Sequence, residues 1–204
     1  EGNIGAGKTS FCNRIADDFN CQLILESFED NPFLQQFYQN PERYAFSVEL
    51  FFMAERQKQL QEGLLKPELF KQGTIADYFF LKTLLFAKNT LKDEEYRLFS
   101  RIFQVLNAPF PKPDLLVYLH RSVDNLQENI TKRGRTYEKN IQASYLQKIQ
   151  NTYFEFFRRE MSMPILIIDV EKADFLKDDV TYQKLLALMT EDYKFGINYI
   201  TTNW

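Results

Sequence analysis

Histidine is nearly missing. The 204 residues hold a single one, His120, which leaves no basis for a histidine-built metal centre or a catalytic triad. Cysteine is almost as scarce. Cys12 and Cys21 are too few for a disulfide framework or a four-thiolate zinc site, and they read as inert thiols in or near a core. No apolar run approaches the roughly 20 residues of a membrane span, and no signal peptide opens the sequence. The expected setting is therefore cytoplasmic, with no membrane partner. A basic excess is missing as well. With a formal net charge of −3, no nucleic-acid partner is expected, because binding a phosphate backbone calls for surplus positive charge. Glycine is sparse, 7 residues against 20 Phe and 11 Tyr. An aromatic core is implied, with little glycine left for loops.

The glycines that exist are concentrated. Three of the 7 lie within the first seven residues, in Gly2-Asn3-Ile4-Gly5-Ala6-Gly7-Lys8-Thr9-Ser10. The run fits G-x-x-x-x-G-K-[ST] at every fixed position. Backbone N–H groups must converge on a phosphate there, so side chains must be absent at Gly2 and Gly7. The helix that follows brings its positive end to the same phosphates. Lys8 supplies a point charge for the β- and γ-phosphates, and the Thr9 hydroxyl is a magnesium ligand. A glycine turn before an ordinary helix is the bland alternative. Lys and Thr in register, followed by the amphipathic spacing Phe11, Ile15, Phe19, argue against it. Such a loop follows a buried strand, and that first strand is missing here, being expected ahead of Glu1.

Strand and helix patterns then alternate. Strands are predicted over 22–25, 74–76, 115–119 and 165–168, and helices over 31–39, 41–64, 79–88, 93–106, 123–132, 144–159 and 179–189. Residues 192–204 show no clear period. The alternation predicts an α/β fold with a parallel sheet flanked by helices, in one domain over 1–204. In such folds ligands gather at the carboxyl ends of strands, where Glu26, Asp77 and Asp169 fall. Glu26 suits a carboxylate that orients a hydroxyl and takes its proton; Glu29 and Asp30 are nearby rivals. Asp77 suits a magnesium-bound water, and equally an ordinary helix cap. Glu49 and Arg56 share a face of a long helix that reads as apolar nearly all round, so they are expected to be buried and paired. Lys132, Arg133 and Arg135 crowd a glycine turn, the composition of a small basic lid over about 132–140 that closes on transferring phosphates.

Together these pieces resemble the deoxynucleoside kinase family, the group holding deoxycytidine, deoxyguanosine and bacterial deoxyadenosine kinases. The resemblance rests on Glu1–Thr9, Glu26, the run Tyr38-Gln39-Asn40-Pro41-Glu42-Arg43-Tyr44-Ala45-Phe46, Glu49 and Arg56. It continues through Pro113–Leu119, Lys132-Arg133-Gly134-Arg135 with Glu138, and Ile167–Val170. It implies a P-loop NTPase fold of the nucleoside and nucleotide kinase type. It implies transfer of the ATP γ-phosphate to the 5′-hydroxyl of a deoxynucleoside in nucleotide salvage, with ATP and Mg²⁺ as cofactors, and a homodimer. Glu26 falls where the family keeps its catalytic base. Tyr38 and Glu138 fall where the sugar 3′-hydroxyl is held, Arg56 among the base-reading residues, and Arg133 and Arg135 in the lid.

Two residues depart from the family. In Ala76-Asp77-Tyr78-Phe79 a tyrosine stands where an arginine is expected beside the 5′-hydroxyl, and a phenol cannot replace a guanidinium. Either another cation substitutes, Arg133 or Lys82 being the choices, or turnover is reduced. Glu49 stands where the family has Gln. A carboxylate only accepts hydrogen bonds, which suits the N1–H and N2–H of guanine and leans the reading to a purine. Two alternatives stay open at this point. One is a thymidylate-type nucleotide kinase; residues 26–31 lack the extra arginine its acceptor phosphate would need. The other is a degenerate ATP-binding domain with little turnover.

Overall fold

The alternation of strand and helix is realised in a computed structural model that describes residues 1–27, 31–66, 68–138 and 140–201. In chain order the elements are α1 (Lys8–Asp18), β1 (Gln22–Ile24), α2 (Leu34–Gln39), α3 (Pro41–Leu64), β2 (Thr74–Ala76), α4 (Lys82–Thr90), α5 (Asp93–Asn107), β3 (Leu116–His120) and α6 (Val123–Arg133). A 3-10 turn, Thr136–Glu138, then precedes α7 (Ala143–Phe157), β4 (Pro164–Asp169), α8 (Asp179–Met189) and β5 (Gly196–Ile200). Two compact units result. One comprises Glu1–Phe11, Lys112–Gly134 and Ala143–Trp204, the other Cys12–Pro111 and Arg135–Gln142.

The first unit is built on a parallel sheet in the order β3-β4-β5. Ile165, Leu166, Ile167 and Ile168 of β4 are all fully buried, as a strand covered on both faces must be. Gly2 adds an isolated parallel bridge to Leu119 of β3. Aromatic rings fill the space beside β3: Tyr118 lies 5.1 Å from both Tyr153 and Phe157 and 5.8 Å from Phe154, centroid to centroid. Helix ends follow local chemistry. The Ser122 hydroxyl accepts the Asn125 N–H at the start of α6, and Gly134 closes that helix with φ 72°, a left-handed turn that suits glycine. Asp178 caps α8 through the N–H groups of Val180 and Thr181.

The second unit joins β1 and β2 in parallel, Gln22 opposite Thr74 and Ile24 opposite Ala76. Around them Met53, Leu60, Tyr78, Phe80, Ala87, Phe99 and Phe103 form a core with Ile24. Helix α3 packs against α2, α4, α5 and β1. It differs from its sequence reading. It is not buried all round: one stripe, Ala45, Val48, Glu49, Met53, Arg56, Leu60 and Gly63, is buried, while Leu50 is exposed. The two charges lie on the buried stripe.

Other differences from the sequence reading are local. The helix predicted from 31 begins at Leu34, because the Asn31 side chain accepts the Phe33 N–H and holds a turn around Pro32. The stretch over 192–204 contains a strand, β5. Its residues Ile197 and Tyr199 are exposed, so it carries no apolar run that would announce it.

Phe157 is fully buried and touches the rings of Tyr118, Tyr153, Phe154 and Phe156. Phe157→Ala is expected to lower the unfolding free energy by about 3–5 kcal/mol, read from urea unfolding.

Candidate active site

The phosphate loop belongs to the first unit. Its form follows from three glycines with positive φ: Gly2 at 156°, Gly5 at 86° and Gly7 at 93°. A Cβ at Gly5 would meet the Leu126 carbonyl oxygen at 2.8 Å, and one at Gly7 the Phe175 ring at 3.0 Å. Substitution is thus refused on space as well as conformation at Gly5, and on conformation at Gly7, where the Phe175 ring would have to give way. Side chains anchor the loop from behind. Buried Asn3 donates through Nδ2 to the Leu146 carbonyl at 2.8 Å and accepts the Ile4 N–H through Oδ1 at 2.8 Å. Asn129 Nδ2 donates to the Gly5 carbonyl at 3.0 Å. Nothing in the sequence pattern had flagged Asn129. Lys8 Nζ donates to the Gly2 and Asn3 carbonyls, both at 2.9 Å, so its charge lies over the loop. Ala6 is buried and Ile4 half-buried, while Thr9 and Ser10 stand exposed in the first turn of α1. This cradle fits a chain of phosphates. The Thr9 hydroxyl, a hard oxygen donor, fits magnesium.

The acidic and basic positions gather in the second unit. Past the end of β1, the Glu26 N–H donates to Asp77 Oδ1 at 2.8 Å, and the Asp77 N–H donates to the Ile24 carbonyl at 3.1 Å. Asp77 thereby extends the strand pairing by one residue with its side chain and fixes where Glu26 leaves the sheet. The Glu26 carboxylate then meets two cations. Arg56 donates to Oε1 through Nε at 2.8 Å and also through Nη2, and Lys82 Nζ donates to Oε2 at 2.6 Å. Arg56 is 3% exposed and Lys82 5%. Burial pushes the Glu26 carboxyl up, but the charges of Arg56 and Lys82 and their hydrogen bonds outweigh it and hold the group well below the usual carboxylate range. Glu26 is an anion at any working pH.

Glu49, about two helical turns before Arg56 on the same stripe, behaves oppositely. It is buried, and its Oε1 accepts the Thr90 hydroxyl at 2.8 Å. Burial pushes its carboxyl up to about 7, against the pull of the Arg56 charge and the Thr90 hydrogen bond. Arg56 also donates through Nη1 to the Thr83 hydroxyl at 2.9 Å. Thr83 and Thr90 had no signal in the sequence, since neither stands at a strand end or in a motif.

Tyr78 does not face this cluster with its hydroxyl. The ring is buried in the core, the hydroxyl donates to the Arg56 carbonyl at 3.3 Å, and it sits 2.9 Å from the Gln59 amide. That amide, oriented from its hydrogen-bonding pattern, also faces the Leu25 carbonyl at 3.0 Å and the Ser27 N–H at 3.1 Å. Beside Arg56, the second cation on Glu26 is Lys82, one of the two substitutes the sequence offered. Glu29 and Asp30, the rivals of Glu26, lie outside the described residues, as does position 139 within the 132–140 lid range.

The remaining expected residues fall in two places. Tyr38 is half-buried on α2, which packs against the Thr136–Glu138 turn, where Glu138 is buried. Arg135 Nη1 lies 3.4 Å from Glu138 Oε1. The 132–140 stretch is not one element. Lys132 and Arg133 end α6, Gly134 caps it, and Arg135 opens the segment that belongs to the second unit. Asp169, the third acid at a strand end, accepts the Glu171 N–H at 2.9 Å and closes a local turn.

A family model for deoxynucleoside kinases matches residues 1–193. The chain belongs to the deoxynucleoside kinase family. It is therefore a phosphotransferase. A deoxyguanosine kinase of Bacillus subtilis is 32% identical over 197 residues, covering 94% of both chains. A deoxyadenosine/deoxycytidine kinase of the same organism is 28% identical, covering 91% of this kinase and 87% of that one. A solved structure of a deoxyadenosine kinase from M. mycoides superposes with a TM-score of 0.78 at 21% identity, covering 93% of this kinase and 96% of that chain. That likeness supports the expected P-loop kinase fold, and none of the described helices is long and apolar enough to cross a membrane.

Glu49 carries a stability consequence with a definite sign. Its folded pKa of about 7 lies above the ordinary value of 4.5. As pH rises, the unfolded chain loses this proton first, so the penalty on folding grows between those two values and is constant above the upper one. Glu49→Gln is expected to raise the unfolding free energy at pH 8 by on the order of 1–3 kcal/mol and to change it little near pH 4. Urea unfolding at the two pH values measures both.

Proposed function

We propose that this kinase moves the γ-phosphoryl group of ATP to the 5′-hydroxyl of a purine deoxynucleoside, with guanine preferred, and that Glu26 is the base. The observation that carries the reading is the Glu26 carboxylate, held ionised at a strand end by Arg56 and Lys82. In the step, the hydroxyl oxygen forms a bond to the γ-phosphorus while the bond from that phosphorus to the β–γ bridging oxygen breaks. The hydroxyl proton passes to Glu26. Lys8 and the loop N–H groups from Gly2 to Ser10 hold the phosphates, and Arg133 and Arg135 add charge as the negative transition state forms. Magnesium, when bound, neutralises phosphate charge; Thr9 would hold it and Asp77 one of its waters. Tyr38 and Glu138 would take the sugar 3′-hydroxyl, and a close fit there favours deoxyribose.

Base choice rests on Glu49 with Arg56. An ionised Glu49 accepts from both N1–H and N2–H of guanine. A protonated Glu49 donates and accepts, the pattern that adenine and cytosine need. With its pKa at about 7, both forms are available. The names of the relatives, a deoxyguanosine kinase and a deoxyadenosine/deoxycytidine kinase, support a purine first.

A coupled ADP-release assay with Mg-ATP and each of the four deoxynucleosides tests this. Deoxyguanosine is expected to give the highest kcat/KM, and Glu26→Gln to reduce it by roughly 10²–10⁴-fold. The ratio of kcat/KM for deoxyguanosine over deoxyadenosine is expected to rise between pH 6 and 8 and to lose that rise in Glu49→Gln. A Glu26→Gln enzyme of undiminished rate would remove Glu26 from the chemistry; a preference for thymidine would remove Glu49 from base reading.

A further inference from the structure

Lys82 stands where local physics disfavours it. Its side chain is 5% exposed, so its ammonium has lost most of its water. It is also the first residue of α4, at the positive end of that helix, where cations are unfavourable. Its Nζ lies 5.4 Å from the centre of the Phe86 ring and donates to Glu26 Oε2 at 2.6 Å. The placement of a residue against both burial and the helix field signals a task that packing does not explain.

The task follows from how the carboxylate is divided. Arg56 sends Nε and Nη2 to the same oxygen, Oε1. That alone would leave the group free to turn about its last torsion, with Oε2 undirected. Lys82 takes Oε2 from the opposite element. A hydroxyl that gives its proton to Glu26 finds Oε1 shared by two guanidinium donors, and must use Oε2. We propose that Lys82 is a positioning residue for the kinase reaction, aiming Glu26 Oε2 at the acceptor hydroxyl. Nothing at position 78 does this, since Tyr78 turns its hydroxyl to Arg56 O and Gln59. The inference rests on the reading of Glu26 as the base.

Among the described residues the charged groups around Glu26 are Arg56 and Glu49 from α3, Lys82 from α4 and Asp77 just past β2, with the Tyr78 phenol close by and its hydroxyl turned to Arg56 O and Gln59. All but Lys82 persist in the variants that test it. Lys82→Met removes donor and charge; Lys82→Gln keeps a donor and removes the charge. Lys82→Arg keeps both. Two readouts are needed on each. One is kcat against KM for the deoxynucleoside at pH 7. The other is the same pair measured with Glu26→Gln added.

In Lys82→Met kcat at pH 7 is expected to fall by roughly 10-fold or more, while KM for the deoxynucleoside stays within about 2-fold. The fall is expected to be smaller in Lys82→Gln, where aim is partly kept, and smallest in Lys82→Arg. Binding of a fluorescent ADP analogue is expected to be unchanged. With Glu26→Gln added, Lys82→Met is expected to cost little further rate, because no base is left to aim. An unchanged kcat in Lys82→Met, or a loss carried by KM alone, would overturn the proposal. So would an equal fall in kcat with and without the Glu26 carboxylate. A Glu26→Gln enzyme of full rate would remove Glu26 as the base and overturn the proposal with it. If Lys82→Met does not fold, the same decision falls to Lys82→Gln.

Discussion

Burying a carboxylate under two cations is the constraint from which the second unit is built. Each of these groups alone would cost several kcal/mol to desolvate. The cost is tolerable because every charge has a partner at hydrogen-bonding distance: Glu26 with Arg56 and Lys82, and Arg56 further with the Thr83 hydroxyl. A long helix must run past the end of β1 to deliver Arg56, and a second helix must begin beside it to deliver Lys82. The side chain of Asp77 ties the two strand ends together so that Glu26 leaves the sheet in one direction. Glu49 then lies one step beyond the reach of full compensation. It accepts from a neutral hydroxyl, that of Thr90, and its proton stays on to near neutrality.

The phosphate loop solves the opposite problem by opposite means. A ligand with several negative charges needs many weak donors pointing inward, and main-chain N–H groups supply these without desolvating any side chain. The requirement falls on conformation, which is why the scarce glycines sit there. Lys8 adds a full charge, and its ammonium is already hydrogen-bonded to the Gly2 and Asn3 carbonyls. Neutral dipoles thus hold the cation near its place, where the acceptor cluster uses full countercharges. The donor side is organised by backbone and the acceptor side by side chains.

What the sequence disclosed follows this division. A loop specified by backbone geometry leaves a fixed spacing, so Gly2 to Ser10 is legible without a structure. The buried apolar runs 115–119 and 165–168, realised as β3 and β4, are legible for the same reason: their neighbours in sequence share their environment. Glu26 and Asp77 could be picked out as acids at strand ends. Lys82, Thr83, Thr90 and Gln59 could not be placed with equal force, because their meaning comes from residues between about twenty and sixty positions away. A lysine at the start of a helix, read locally, is a surface residue. Strand β5 was invisible because its pairing energy is in the backbone ladder and its alternate side chains, Ile197 and Tyr199, face water.

The abundance of aromatics connects the two ends of this account. An aliphatic core packs as well as an aromatic one but offers nothing to a cation. Here the Arg56 guanidinium lies 4.9 Å from the centre of the Phe52 ring, and the Lys82 ammonium 5.4 Å from that of Phe86. A ring face under a desolvated cation contributes on the order of 0.5–2 kcal/mol. That is comparable to the roughly 0.3–1 kcal/mol a cation loses at a helix N-terminus. Phe86 therefore offsets the helix field that Lys82 must bear, from one turn along the same helix. With Phe80 and Phe103 stacked at 4.9 Å in the core beside it, the second unit uses its phenylalanines to fill volume and to hold charge that the chemistry needs dry.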